Sequence, residues 1–198
     1  MKLVLASNNP GKLREIQAIL PPAIELIAQS ALGIAEAEEP HASFVENALA
    51  KARHASRAAA LPALADDSGL CVDSLGGAPG VQSAYYAGRE GSREERDERN
   101  NRRLLAELKD DRRAYYCCLM VMVRHADDPR PLIAEGLWRG EIARAPRGAN
   151  GFGYDPLFLL PALGKTAAEI SPAEKNRISH RAAALRKLLE LLHAADHA

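Results

Sequence analysis

The chain has 198 residues, 47% apolar and 26% charged, and its 26 Lys and Arg are balanced by 26 Asp and Glu. That length allows one well-cored globular domain, and the composition is ordinary for one. A formal net charge of zero argues against a broad nucleic-acid or membrane surface, while a local cationic pocket stays open.

The cysteines are Cys71, Cys117 and Cys118, with no CxxC among them. They read as packed thiols, not as a disulfide framework or a zinc site. The apolar start at residues 1–6 is too short for a signal h-region, and no run reaches membrane-spanning length. A reduced, cytoplasmic protein is expected.

Residues 3–6 predict a short strand. Ser7, Asn8, Asn9, Pro10 and Gly11 are turn chemistry, and Leu13, Ile16 and Leu20 then recur at helical spacing. A strand, a polar loop and a helix opening on Lys12 can cradle a phosphate: amide N–H groups, helix dipole and ammonium all favour an anion. The same pattern also serves as a plain strand-to-helix turn. It is not a Walker A loop, because the first Gly and the hydroxyl residue after the Lys are absent.

Residues 24–28 predict a second strand, and residues 34–41, carrying Glu36, Glu38 and Glu39, an exposed loop. Ser43 and Glu46 form a capping box that opens an Ala-rich helix to about Ala60. Lys51 on that helix reads by itself as a solvated residue. Residues 63–72, ALADDSGLCV, are an apolar strand broken by two adjacent carboxylates. Asp66 and Asp67 in such a place are costly unless they hold a divalent metal or act as a base. The alternative is a solvated Asp-Asp turn bent by Gly69.

A mobile loop is expected at residues 76–80, with Tyr85, Tyr86 and Gly88 after it. Ser92 and Glu95 cap a charged helix to about Lys109, with Leu104, Leu105 and Leu108 inward. Residues 114–123 predict a central strand, residues 125–129 a turn, and residues 132–138 with 140–143 another strand or hairpin. In residues 148–156, three glycines surround Phe152 and Tyr154: a backbone able to approach a ligand closely, with rings to stack on a flat one. This is not the dinucleotide GxGxxG pattern, and Gly164-Lys165-Thr166 is not a P-loop.

A short strand is expected at residues 157–160. Ser171, Pro172 and Glu174 cap a helix that residues 175–178 are expected to interrupt, and Ser179 caps the last one. His180 and Arg181 fall in its first turn, where cations oppose the dipole; they want an anion nearby or face solvent. Strands and helices interleave, which predicts an α/β fold with a mixed sheet.

The unusual positions make one set. Lys12, Lys51, Lys175, His180 and Arg181 are cations, Glu38, Glu39, Asp66 and Asp67 suit a hard cation, and Phe152 and Tyr154 can hold a base. A metal-bound nucleoside triphosphate needs these three kinds of group.

Six blocks in chain order then carry a resemblance: Ser7 to Lys12 (SNNPGK), Phe44 to Lys51 (FVENALAK), Ala65 to Leu70 (ADDSGL), residues 76–80, Gly151 to Pro156 (GFGYDP), and Glu174-Lys175-Asn176 with Ser179-His180-Arg181. On these the chain resembles the inosine triphosphate pyrophosphatase (Ham1) family, close to its bacterial members. The resemblance implies one α/β domain over residues 1–198, of Ham1/Maf type: an elongated mixed β-sheet flanked by helices, in two lobes with a nucleotide cleft between them. It also implies a homodimer that hydrolyses ITP, dITP or XTP to the monophosphate and pyrophosphate with Mg²⁺. That reaction clears deaminated purines from the nucleotide pool.

The resemblance further implies residue roles. Asp67 and one of Glu38 and Glu39, with Glu39 favoured, hold the metal, and Asp67 is also the proton acceptor. Asp66 holds a second metal or tunes Asp67. Lys12, Lys51 and Ser68 hold the triphosphate, with Ser7, Asn8, Asn9, Pro10 and Gly11 lining the cradle. Phe152 stacks on the purine, and Gly153, Tyr154, Asp155, Lys175, His180 and Arg181 surround it. The rival readings are a pyrophosphatase for modified pyrimidine nucleotides and a non-catalytic nucleotide sensor. The purine-sized stacking loop and the Ser179-His180-Arg181 segment argue against the first, and the intact Glu39 and Asp67 against the second.

Overall fold

A computed structural model describes residues 1–196. Strands β1 (Lys2–Leu5), β2 (Glu25–Ala28), β3 (Ala63–Val72), β4 (Arg113–Val123), β5 (Leu132–Ile142), β6 (Phe158–Leu160) and β7 (Lys165–Thr166) form one sheet in the order β2-β1-β3-β4-β5-β6-β7. Pairing is parallel for β1 with β2 and β3, and antiparallel for β5-β6 and β6-β7, so the sheet is mixed as expected. Helices α1 (Pro10–Gln17), α2 (Phe44–Ala59), α3 (Arg93–Glu107), α4 (Pro172–Ile178) and α5 (His180–Asp196) flank it. Among the described residues, no helix is long and apolar enough to cross a membrane.

The chain folds as two compact units. The first holds Met1–Asp67, Cys118–Gly136 and the segment from His180 on; the second holds Ser68–Cys117 and Leu137–Ser179. In the first unit, strand alternation sorts the core into two layers. Leu3, Leu5, Leu64, Cys118, Met120 and Met122 pack with Ile16 of α1 and Leu185 and Leu188 of α5. Val4, Ala6, Ala63, Ala65, Val121 and Val123 face the other way, onto Ala48, Ala52 and Ala55 of α2. In the second unit, Leu70, Val72, Tyr116, Trp138, Tyr154 and Phe158 pack with Leu104 and Leu108 of α3.

Of the strand or hairpin expected over residues 132–138 and 140–143, the strand is found, β5 running unbroken through both. Other expectations change. Residues 175–178 do not interrupt a helix: α4 runs through them, and the break is Ser179, whose extended ψ of 163° ends the turn. The two-residue strand β7 was not expected, being too short to show a period. The loop expected to be mobile at residues 76–80 is tied at both ends: Gly77 N–H donates to Val72 O at 3.0 Å and Val72 N–H to Ala78 O at 3.1 Å.

Candidate active site

The two adjacent carboxylates of β3 decide the site, because neighbouring strand residues point to opposite faces. Asp66 follows Leu64 onto the α1/α5 side, and Asp67 follows Ala65 onto the α2 side. On the first side, Asp66 is fully buried, with Oδ1 2.6 Å from Lys12 Nζ and Oδ2 2.6 Å from Arg181 Nε. Cys118 Sγ donates to the same Oδ2 at 3.3 Å, and Glu15 of α1 pairs with the other end of the Arg181 guanidinium. Burial alone would raise the pKa of Asp66. Arg181 and Lys12 outweigh it and hold the carboxyl well below its ordinary value.

Two features put these cations there. The N-terminal amides of α1 are capped by Asn9, whose Oδ1 accepts from Gly11 N at 2.9 Å and Lys12 N at 3.2 Å. What the expected cradle offers is therefore mainly the Lys12 ammonium. At the start of α5, a Cβ on Gly136 would lie 2.0 Å from His180 O. Only glycine lets β5 come this close to the turn that carries Arg181.

On the α2 side, Lys51 Nζ lies 2.7 Å from Asp67 Oδ1 and 3.1 Å from Glu39 Oε2. It also donates to Asp66 O at 3.1 Å. The reason is visible in the helix: Ala48, Ala52 and Ala55 let α2 lie close to the sheet, which puts the Lys51 stem within reach of β3. Lys51 is thus buried and paired, not solvated. Burial pulls its proton affinity down, and Asp67 and Glu39 more than restore it, raising its pKa.

The exposed loop bearing the glutamates is fastened to α2 at several points. Asn47 grips both main-chain groups of His41 at 3.0 and 3.2 Å, and His54 Nε2 contacts Ala35 O at 2.9 Å. This register brings Glu39, itself 46% exposed, to Lys51, and leaves Glu38 exposed without an ion pair among the described residues.

Asp67 differs sharply from Asp66. Its Oδ2 is buried with no hydrogen-bond partner among the described residues. Burial, opposed by Lys51 and Lys12 and aided by Glu39, pushes its pKa up to about 6. For Glu39, burial is outweighed chiefly by the Lys51 ammonium, and its pKa falls. Two neighbouring carboxylates with one buried oxygen left unbonded are a fit for a hard divalent cation. Among the described residues no group of three or more candidate ligands exists, so substrate oxygens and water would complete the shell, as is usual for Mg²⁺.

Ser68, Phe152, Gly153, Tyr154, Asp155 and Lys175 lie in the second unit, whereas His180 is buried at the start of α5 in the first. Asp155, 2% exposed, accepts from Phe152 N at 2.9 Å and from Lys175 Nζ at 2.5 Å through Oδ2, and from Tyr116 OH at 3.4 Å through Oδ1. A Cβ on Gly151 would sit 2.0 Å from that Oδ2, and its φ of +78° is left-handed, so glycine is required. Tyr154 is buried and its hydroxyl donates to Ser83 O at 2.9 Å. Asp155 and Tyr154 thus hold the loop, while Phe152 is half-buried with Lys175 Nζ 4.8 Å from its ring centre. Ser68 is half-buried on β3, directly after Asp67.

Sequence reasoning gave no role to Glu15, Asn47, His54 or Cys118. Glu15 could have been found as a carboxylate one helical turn from Lys12. The others act through main chain or through a partner distant in sequence, which leaves no local signal.

With this geometry in hand, relatives are informative. The chain is 64% identical over 194 residues to the dITP/XTP pyrophosphatase of Burkholderia pseudomallei, covering 96% of this chain and 93% of that one. The dITP/XTP pyrophosphatase of Ralstonia nicotianae is 64% identical over 200 residues, covering 100% and 99%. The solved structure of a HAM1 protein from Coxiella burnetii superposes with a TM-score of 0.89 at 46% identity, covering 98% of this chain and 99% of that one. The Ham1 family profile matches residues 3–191. The chain belongs to the Ham1 family.

Proposed function

We propose that this protein hydrolyses the triphosphates of deaminated purines, dITP, ITP and XTP, to the nucleoside monophosphate and pyrophosphate, with Mg²⁺. The observation that carries the chemistry is Asp67: a buried carboxylate with an unbonded oxygen, a pKa near the working range at about 6, and a carboxylate neighbour in Glu39. The names of the relatives carry the substrate class.

In this reading Glu39 and Asp67 hold Mg²⁺, which when bound neutralises charge on the triphosphate oxygens. Asp67 orients a water and accepts its proton as the water oxygen bonds to the α-phosphorus. The bond from that phosphorus to the α,β-bridging oxygen breaks, and pyrophosphate leaves with the electron pair. Lys51 and Lys12 offset the negative charge growing on the leaving group, with Ser68 and the Ser7–Asn9 turn donating to phosphate oxygens. Lys51 is preorganised for this, because its pairs with Asp67 and Glu39 fix the ammonium before substrate arrives.

Phe152 takes the purine face, and Lys175, His180 and Arg181 supply donors to the base. Hypoxanthine and xanthine carry a 6-keto acceptor where adenine carries an amine. A site built to donate to that oxygen rejects the mismatched base, by roughly 10⁴ in favourable cases. The homodimer that the family resemblance implies belongs to the same proposal, and sedimentation equilibrium reads it directly.

Hydrolysis of dITP in ¹⁸O-labelled water tests the bond assignment. Label is expected in dIMP. Label in pyrophosphate would place the attack on the β-phosphorus and overturn the assignment.

A further inference from the structure

Helix α3 has no part in the site described above, yet one of its faces is committed to the Phe152 loop. Arg93, Asp97 and Asn101 follow one another at helical-turn spacing and so share a face. Asp97 Oδ2 accepts the Gly153 N–H at 2.8 Å. Asn101 Nδ2 donates to Gly153 O at 3.0 Å. Both main-chain polar groups of one loop residue are thus taken by side chains one turn apart. Arg93 places its guanidinium 4.8 Å from the centre of the Phe152 ring.

The alternative use of Asp97 is an ordinary helix-surface ion pair with Arg93. That contact is long, 3.9 Å, between side chains still 30% and 25% exposed. Such pairs contribute little. The short bond goes to the loop, and half-burial of Asp97 is the expense of making it: burial raises its pKa against the help of the Gly153 N–H and of Arg93.

From this we infer that Asp97 and Asn101 are positioning residues: by gripping Gly153 from both sides they fix where the neighbouring Phe152 ring sits. The inference rests on the reading of Phe152 as the purine-stacking ring. It gives α3 a task in base recognition without contact to the base. Asp155 and Lys175 hold the loop from its other end, so the ring is placed between two independent anchors.

The test uses Asp97→Ala, Asp97→Asn and Asn101→Leu in the full chain. The amide oxygen of Asn can still accept the Gly153 N–H, so it separates the bond from the charge. Amide hydrogen exchange over residues 151–154 of the nucleotide-free protein reads the grip itself. Exchange is expected to quicken in Asp97→Ala and Asn101→Leu and to stay near wild type in Asp97→Asn. Steady-state kinetics with dITP and Mg²⁺ read the consequence: KM about tenfold higher in Asp97→Ala, kcat within about twofold, and recovery in Asp97→Asn.

Unchanged exchange in both Asp97→Ala and Asn101→Leu would overturn the grip. Quickened exchange with unchanged KM, or a loss confined to kcat, would overturn its role in recognition. Asp97→Asn behaving like Asp97→Ala would assign the effect to charge and overturn the positioning role. A wild-type protein that turns over no dITP would instead sink the functional reading, and the exchange measurement would still decide the grip.

Discussion

Asp66 Oδ2 and Arg181 Nε lie 2.6 Å apart with both side chains essentially excluded from solvent. The pair ties β3 to the first turn of α5. Removing one partner of such a buried pair strands the other charge, which costs about 3–5 kcal/mol. Asp66→Asn should therefore lose stability of that order in urea unfolding at pH 7. The sign with pH follows from the lowered folded pKa. The stabilisation is present above the ordinary Asp value of 3.8 and is lost as pH falls through the lower folded value. The gap between variant and wild type should hold through neutral pH and narrow only in strong acid. Equal stability at pH 7 would show that the ion pair is dispensable.

Asp67 predicts the opposite. Its folded pKa is raised to about 6 from 3.8, so its ionisation costs stability as pH rises through 6. The stability of metal-free Asp67→Asn relative to wild type should therefore rise from about pH 4 to about pH 6 and level off above, on top of a pH-independent loss from breaking the Lys51 pair. The same variant should bind dITP and not turn it over. Near-normal turnover would remove Asp67 from the role of base.

The rate should carry the same titration. Without saturating metal, kcat/KM for dITP should fall about tenfold per pH unit below pH 6, as the base takes up its proton. Metal binding competes with that proton, so saturating Mg²⁺ should move the acid limb to lower pH. A profile flat down to pH 4.5 at low Mg²⁺ would contradict the assignment.

Glu39 and Glu38 are separated by position, not by chemistry. Both are exposed, but Glu39 pairs with Lys51 and Glu38 has no ion pair among the described residues. Glu39→Gln should raise the Mg²⁺ concentration for half-maximal activity by about tenfold or more, and Glu38→Gln should leave it unchanged. Equal effects of the two would mean that the loop does not select one ligand.

Phe152→Ala should raise KM for dITP with little change in kcat. A lost base-aromatic stack is worth about 1–3 kcal/mol, or about 5- to 150-fold. An unchanged KM would make the aromatic loop purely structural.

Much of this architecture is legible in the sequence because it is written locally. The caps at Ser43, Ser92 and Ser171 locate three helix starts, and the apolar run of residues 63–72 gives β3 to the residue. The division of labour between Asp66 and Asp67 is not legible, although the two are adjacent. Strand alternation sends them to opposite faces, but which face holds Arg181 depends on packing α5 against β5 at Gly136, a contact 44 residues away in sequence. Lys51 illustrates the same limit. On its helix it reads as solvated, and only the alanines beside it, packed flat on the sheet, show that it is buried. Residues 175–178 read as an interruption, and Asn176 among them is a weak helix former. Tertiary context overrides that weak propensity, with Lys175 anchored to Asp155.

The most direct measurement is product analysis of the purified protein with Mg²⁺ and equimolar dITP, dATP and dGTP. The expected result is dIMP and pyrophosphate, with dATP and dGTP spared. Equal cleavage of all three would contradict selection by the base, and measurable dITP binding without hydrolysis would contradict catalysis and leave a nucleotide sensor.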